Sequence, residues 1–203
     1  AFNALIDTPE DILVFDDLCH SCGACSYLCP RRAITEEDHR IGELSGGKVR
    51  RGIDFYQGLL DIGEIAGPQV IKRLKTRIEP EKMGILDLPA GTGCAVVESL
   101  KGVDFCLLVA EDSPFGLSDL RLTVELVRHL GIDCGVVINR LDEHRSIVRE
   151  YTRQENLKVL QTIPFDRRIA ECYSGGDMVC SALPEYREAF RGILSAIREL
   201  TAR

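Results

Sequence analysis

At 203 residues, with 45% hydrophobic side chains, the chain can bury a substantial core and carry a small cysteine-rich appendage beside it. A net charge of -7 and a pI near 5.2 argue against general affinity for phosphate backbones, so nucleic acid is not an expected partner. No apolar run approaches the roughly 20 residues that cross a bilayer, and nine cysteines, an odd number with no charged-then-apolar leader before them, speak for a reducing, cytoplasmic setting over a disulfide framework.

The first informative element is the run CHSCGACSYLCP. Cys19, Cys22, Cys25 and Cys29, followed at once by Pro30, keep the spacing C-x2-C-x2-C-x3-C-P, which suits a 4Fe-4S cluster. Two-residue gaps let three sulfurs converge on one cluster face, Gly23 and Ala24 allow a tight backbone turn, and Pro30 redirects the chain. Structural zinc is the alternative, but its ligands usually split into two separated pairs. In two-cluster ferredoxins the fourth cysteine of such a run ligates the other cluster, so a partner motif is expected. Its tail is visible: Pro30-Arg31-Arg32-Ala33-Ile34 superposes on the opening Ala1-Phe2-Asn3-Ala4-Leu5. The expectation is a missing cysteine directly before Ala1, with three companions upstream. Cys19, Cys22 and Cys25 then hold three corners of one cluster and Cys29 belongs to a second. A single cluster using Cys29 or a remote cysteine stays open.

Beyond Ala33 short glycine-bearing strands are expected. Gly42 to Lys48 satisfies G-x-x-x-x-G-K, but Val49 stands where the magnesium hydroxyl belongs, so a glycine-rich hairpin with an exposed lysine is the reading. A helix follows, with Ile65, Val70, Ile71, Leu74 and Ile78 as its apolar face. From Met83 short apolar runs alternate with helical patterns. Gly84 to Leu88, Phe105 to Ala110, Cys134 to Ile138 and Leu157 to Ile163 read as buried parallel strands. Leu117, Leu120, Val124, Val127 and Leu130 keep helical spacing, as do Tyr186, Phe190, Ile193, Ile197 and Leu200 after Pro184. The alternation predicts a parallel sheet covered on both faces, with ligands beyond the carboxyl ends of its strands.

Those ends carry the candidate residues. Asp87 could hold a magnesium-bound water or merely cap a strand, and the glycines of PAGTGC let backbone amides approach phosphate. Asn139 suits the edge of adenine or a turn. Pro164 and Phe165 could flank a base or end a strand. Cys106 and Cys134 read as core, Cys94 as a conceivable functional thiol, and Cys172 and Cys180 as too far apart in sequence for a pairwise metal motif. His20 reads as a solvated residue beside the cluster, while His39, His129 and His144 carry no pattern. No nucleophile-histidine-acid constellation is readable.

In this order DLPAGTGC, EDSPFGLSDLRLTVELVRHLGI, GVVINR and IPFDRRIA resemble the MinD/ParA-type (NUBP/Mrp-related) P-loop ATPases. The cysteine run followed by IGELSGGKVRRGIDFYQGLLDIGEIAGPQVIKRLK resembles the subgroup with an inserted ferredoxin domain. The resemblance implies an α/β parallel-sheet nucleotide-binding domain over 41–203 and the second half of a ferredoxin-like insert over 1–40. It implies ATP, Mg2+ and two 4Fe-4S clusters, commonly in a homodimer. Asp87 then takes the Walker B role, Gly91 and Gly93 belong to its loop, Asn139 meets adenine with Arg140 beside it among the cofactor-binding residues, and Pro164 with Asp166 lines the base pocket. The family's K-G-G-x-G-K-T loop has no counterpart in these 203 residues, so the chain alone is not expected to hydrolyse ATP well and reads as the C-terminal portion of a longer protein. Two functions remain: an ATPase coupled to electron transfer or cluster assembly, serving a redox partner or client, or a non-catalytic 4Fe-4S electron-transfer or cluster-carrier protein on a decayed nucleotide-binding scaffold.

Overall fold

The computed structural model describes residues 2–49, 52–141 and 145–202; Ala1, which opens the half-repeat, and His144 lie outside them. The chain divides into two compact units, Ala1–Leu88 and Pro89–Arg203.

The first unit begins with an antiparallel pair, β1 (Leu5–Asp7) and β2 (Ile12–Val14), in the register Leu5 to Val14. Thr8 closes its turn: the hydroxyl donates to the Asp11 carbonyl at 2.6 Å and accepts the Asp11 amide at 3.0 Å. The cysteine run follows, with a short helix α1 (Ala24–Leu28) inside it. Gly23 caps α1 at φ 71°, a left-handed conformation that glycine adopts without a Cβ clash. The expected hairpin is present as β3 (Gly42–Lys48) and β4 (Asp54–Leu60), paired from Gly42 and Leu60 to Lys48 and Asp54. Lys48 is exposed, the Val49 amide donates to the Ile53 carbonyl at 2.8 Å, and the next described strand or helix is β4, where a phosphate loop would need a helix.

Helix α2 (Gly67–Lys75) packs on that hairpin. It is shorter than the apolar pattern suggested, because Pro68 fits the first turn and Thr76 folds its hydroxyl back onto the Arg73 carbonyl at 2.8 Å. Ile65 and Ile78 therefore fall outside it. A larger correction concerns Gly84 to Leu88, which joins no sheet among the described residues. A strand needs a neighbour to pair its amides and carbonyls, and with none alongside, Ile85 is left 84% exposed.

The second unit opens with α3 (Cys94–Leu100) and then alternates β5 (Cys106–Glu111), α4 (Pro114–His129), β6 (Cys134–Leu141), α5 (Ile147–Gln154) and β7 (Val159–Pro164). The strands form a parallel sheet in the order β5-β6-β7. On one face Leu108, Val136 and Ile138 pack beneath α4 and α5, and Val124, Val127 and Val148 have no solvent exposure. Side chains of this size contribute about 1.5–3 kcal/mol each when fully buried.

Three helices complete the unit: α6 (Arg167–Ser174), α7 (Val179–Ala182) and α8 (Glu185–Thr201). On the opposite sheet face Val137 and Ile163 pack with Tyr186 and Ile193 of α8. The expectation of full cover on both faces fails at β5. There α4 protects alternate residues, while Leu107 and Val109, pointing the other way, are 37% and 63% exposed because α8 packs over β7.

Candidate metal centre

Cys19 and Cys22 stand on irregular backbone after β2, Cys25 lies in the first turn of α1, and Cys29 caps its end. All four are free thiols, the first two exposed and the others half-buried. Among the described residues no three His, Cys, Asp or Glu side chains come close enough together to hold a metal ion. A loop whose ligands are gathered only by the group they bind is the ordinary situation for metal-coupled folding.

The chemistry of this donor set nevertheless fits an iron-sulfur cluster: four soft thiols within one short segment, one of them already held as an anion would be. The amide of Ala33 donates to the Cys29 sulfur at 3.3 Å. That bond, with help from the amides of Arg31, Arg32 and Ile34, holds the Cys29 thiol below its ordinary value. Arg32 adopts φ 50°, and Asn3, its equivalent in the half-repeat, adopts φ 56°. Both superposed segments thus make the same left-handed step.

Around the run, Phe2 stacks on His20 with ring centroids 3.9 Å apart. Ser26 hydrogen-bonds Glu36. His39, which carried no sequence pattern, pairs with Glu64 at 2.7 Å, and that bond, reinforced by the charges of Glu64, Asp16 and Asp17, raises its pKa. The adjacent Arg40 donates to Asp61 at 2.9 Å, so two neighbouring side chains tie the segment after the cysteines to the turn beyond β4.

Of the strand-end candidates, Asp87 is exposed on irregular backbone in the first unit, whereas the others belong to the second. Gly91 has φ 97°, and Gly93 caps α3. At the carboxyl end of the sheet Glu111 lies opposite Asn139. Gly116 brings the start of α4 against the Glu111 carbonyl so closely that a Cβ would collide with backbone. Asp112 accepts the Val148 amide at 3.2 Å, and Ser113 caps α4 through the Gly116 amide.

Asn139 turns its side-chain oxygen onto the amide of Arg140, which has φ 53°. The Arg140 guanidinium reaches Glu111 at 3.3 Å and lies 5.2 Å from the centre of the Phe165 ring. Pro164 ends β7 opposite Leu141. Asp166 caps α6, and its carboxylate also accepts the Arg168 side chain at 2.6 Å and the Tyr186 hydroxyl at 2.7 Å. Asn139, Arg140, Pro164 and Phe165 thus share one sheet end, while Asp166 is engaged by its own helix and α8.

Of the remaining cysteines, Cys106 is buried in β5, as a core residue would be, whereas Cys134 at the start of β6 is only half-buried. Burial pushes the Cys106 thiol up to about 11, and raises Cys134 as well. Cys94 is exposed at the start of α3, and Cys172 and Cys180 are half-buried free thiols.

Residues 12–35 match the 4Fe-4S binding domain family Fer4, and all four cysteines of the run fall within those bounds. The chain therefore carries a ferredoxin-type domain. Two uncharacterized proteins of Methanocaldococcus jannaschii are similar over most of this chain. MJ0579 is 30% identical over 176 residues, covering 86% of this chain and 61% of its own length. MJ0578 is 24% identical over 234 residues, covering 98% of this chain and 82% of its own length. The chain spans less than two thirds of the first of these relatives. No solved structure matches it.

Proposed function

We propose that this chain is an iron-sulfur electron-transfer module, in which Cys19, Cys22, Cys25 and Cys29 supply the thiolates for 4Fe-4S chemistry. The observation that carries this reading is the ferredoxin-type match over residues 12–35, which encloses the whole cysteine run. A 4Fe-4S cluster, when bound, accepts and returns single electrons. The protein's part is to hold thiolates, limit solvent access and present the site to a redox partner or client. Exposure of Cys19 and Cys22 supports the last of these, because it leaves little protein between that edge of the site and a docking surface. Anaerobic reconstitution with iron and sulfide is expected to load the chain and give a paramagnetic signal on reduction. Cys22→Ser should lower bound iron; unchanged iron and sulfide would sink the assignment.

We further propose residues 41–203 as a MinD/ParA-type nucleotide-binding domain that couples ATP and Mg2+ to the cluster in a cytoplasmic homodimer. Asp87 would hold the magnesium-bound water, with Gly91 and Gly93 near phosphate and Asn139, Arg140, Pro164 and Asp166 around the base. What favours it is the exposed Phe165 ring, 65% accessible and backed by the Arg140 guanidinium beside Asn139 at the ends of β6 and β7. An aromatic face of this kind stacks a base for roughly 1–3 kcal/mol. Titration of the chain with Mg-ATP is expected to show binding that Phe165→Ala weakens about tenfold. Equal affinities, or no binding by either form, would remove nucleotide from the account of this chain.

A further inference from the structure

Charge in the first unit is sorted along the sequence. Residues 2–38 hold eight acidic and two basic side chains, whereas residues 65–78 hold four basic ones and no acidic one. Three of the four, Lys72, Arg73 and Lys75, occupy the last turn of α2, where cations suit the helix dipole, and Arg77 lies just beyond. The dipole does not explain why, among the described residues, none of the exposed Lys72, Arg73 and Arg77 is in an ion pair, nor any of the exposed Asp7, Glu10, Asp16 and Asp17. Val70 turns the other way, onto Gly58 of β4. Gln69 stands one turn before Arg73 on the same side of the helix, and its side-chain amide donates to the His20 carbonyl at 3.3 Å. The basic face of α2 therefore begins beside the cysteine run, which Asp16 and Asp17 directly precede. Next to those acids β1 and β2 expose Ile6 and Leu13 on one face and Ile12 and Val14 on the other. A two-stranded hairpin cannot bury such side chains by itself.

We propose that a second copy of this chain covers this surface: two copies pair about a two-fold axis, with the basic face of α2 in each against the acidic stretch before the cysteines of the other. An isologous contact sets a patch of one copy on its complement in the other twice over, so each dimer joins two sets of opposite charges. Exposed ion pairs contribute little affinity by themselves. They fix the orientation, while the apolar side chains of β1 and β2 supply area to bury. The contact lies wholly within the first unit and needs neither cluster nor nucleotide, so it stands apart from both functional readings above.

Sedimentation velocity of the chain, without nucleotide and with a thiol reductant present, tests this. In about 0.01 M salt, where charges act over roughly 30 Å, a dimer of twice the 22.6 kDa chain mass should form at micromolar concentration. Raising salt to about 1 M, where the screening length is roughly 3 Å, should weaken it about tenfold or more. A monomer throughout, a dimer indifferent to salt, or a ladder of larger species would each overturn the proposal. Two charge-reversed proteins then test the pairing: Lys72→Glu with Arg73→Glu, and Asp16→Lys with Asp17→Lys. Each alone should be monomeric, because both of its contacts would bring like charges together. Mixed in equal amounts they should dimerise one with the other, since the reversed surfaces complement each other and the unreversed ones do likewise. A mixture that stays monomeric, or a single variant that dimerises as well as the parent, would overturn the proposal. Should either variant fail to fold, the salt series on the parent decides.

Discussion

Asp166 shows how completely one side chain can be claimed by its neighbours. It caps α6 through the Arg168 amide at 2.9 Å, and its second role is to receive the Arg168 guanidinium and the Tyr186 hydroxyl. Arg168 in turn reaches Glu185 at 3.0 Å, which links the starts of α6 and α8. The Arg168 side chain first, and the Tyr186 hydroxyl next, hold the Asp166 carboxyl well below the usual carboxylate range. In the nucleotide-binding reading, Asp166 therefore orients the strand end that carries Pro164 and Phe165. A depressed pKa gives a stabilisation present above the unfolded value, about 3.9, and lost as pH falls through the folded value. The midpoint of thermal unfolding should accordingly drop more steeply below about pH 4 in the parent than in Asp166→Asn, which keeps a capping oxygen but no charge. Parallel pH curves for the two proteins would show that the charge contributes nothing.

At the scale of elements, what was legible in the sequence is what is local. The span of α4 follows from Ser113-Pro114 at its start and from the spacing of Leu120, Val124 and Val127, which all turn inward. The strands β5, β6 and β7 announce themselves as apolar runs, and the cysteine run is legible because thiol spacing alone limits what it can bind. Non-local pairing was not legible. Gly84 to Leu88 has the composition of a buried strand, but only a partner makes it one. Leu107 and Val109 read as core, yet cover depends on where α8 lands, some 80 positions later in the chain. The same limit hid the contacts of His39 with Glu64 and of Asp166 with Tyr186, which join residues 25 and 20 positions apart. The Arg140 and Phe165 contact was half legible, since both residues follow strands, but neither strand reveals that the guanidinium lies over the ring.

For the whole molecule the decisive quantity is where the charge sits. Residues 2–38 contain eight of the 32 acidic side chains and only two of the 25 basic ones, so six of the seven units of net negative charge surround the cysteine run. Among the described residues none of Asp7, Glu10, Asp11, Asp16 and Asp17 is in an ion pair. Their field is left to act on whatever approaches the cluster, and it steers cations toward that site while repelling anions. The reduced protein should therefore pass electrons to hexaammineruthenium(III), a tripositive oxidant, more slowly as salt is added, and to ferricyanide, a trianion, more quickly. Most of the change should fall between about 0.01 M and 0.1 M salt, where the screening length shrinks from roughly 30 Å to 10 Å. Local charge can be separated from total charge with two double variants. Asp16→Asn with Asp17→Asn and Asp119→Asn with Glu199→Gln each remove two negative charges from the same total. Only the first pair should flatten the salt dependence markedly; equal flattening by the second would mean that approaching oxidants sense the net charge of the molecule, and that the acidic setting of the cysteines has no steering role of its own.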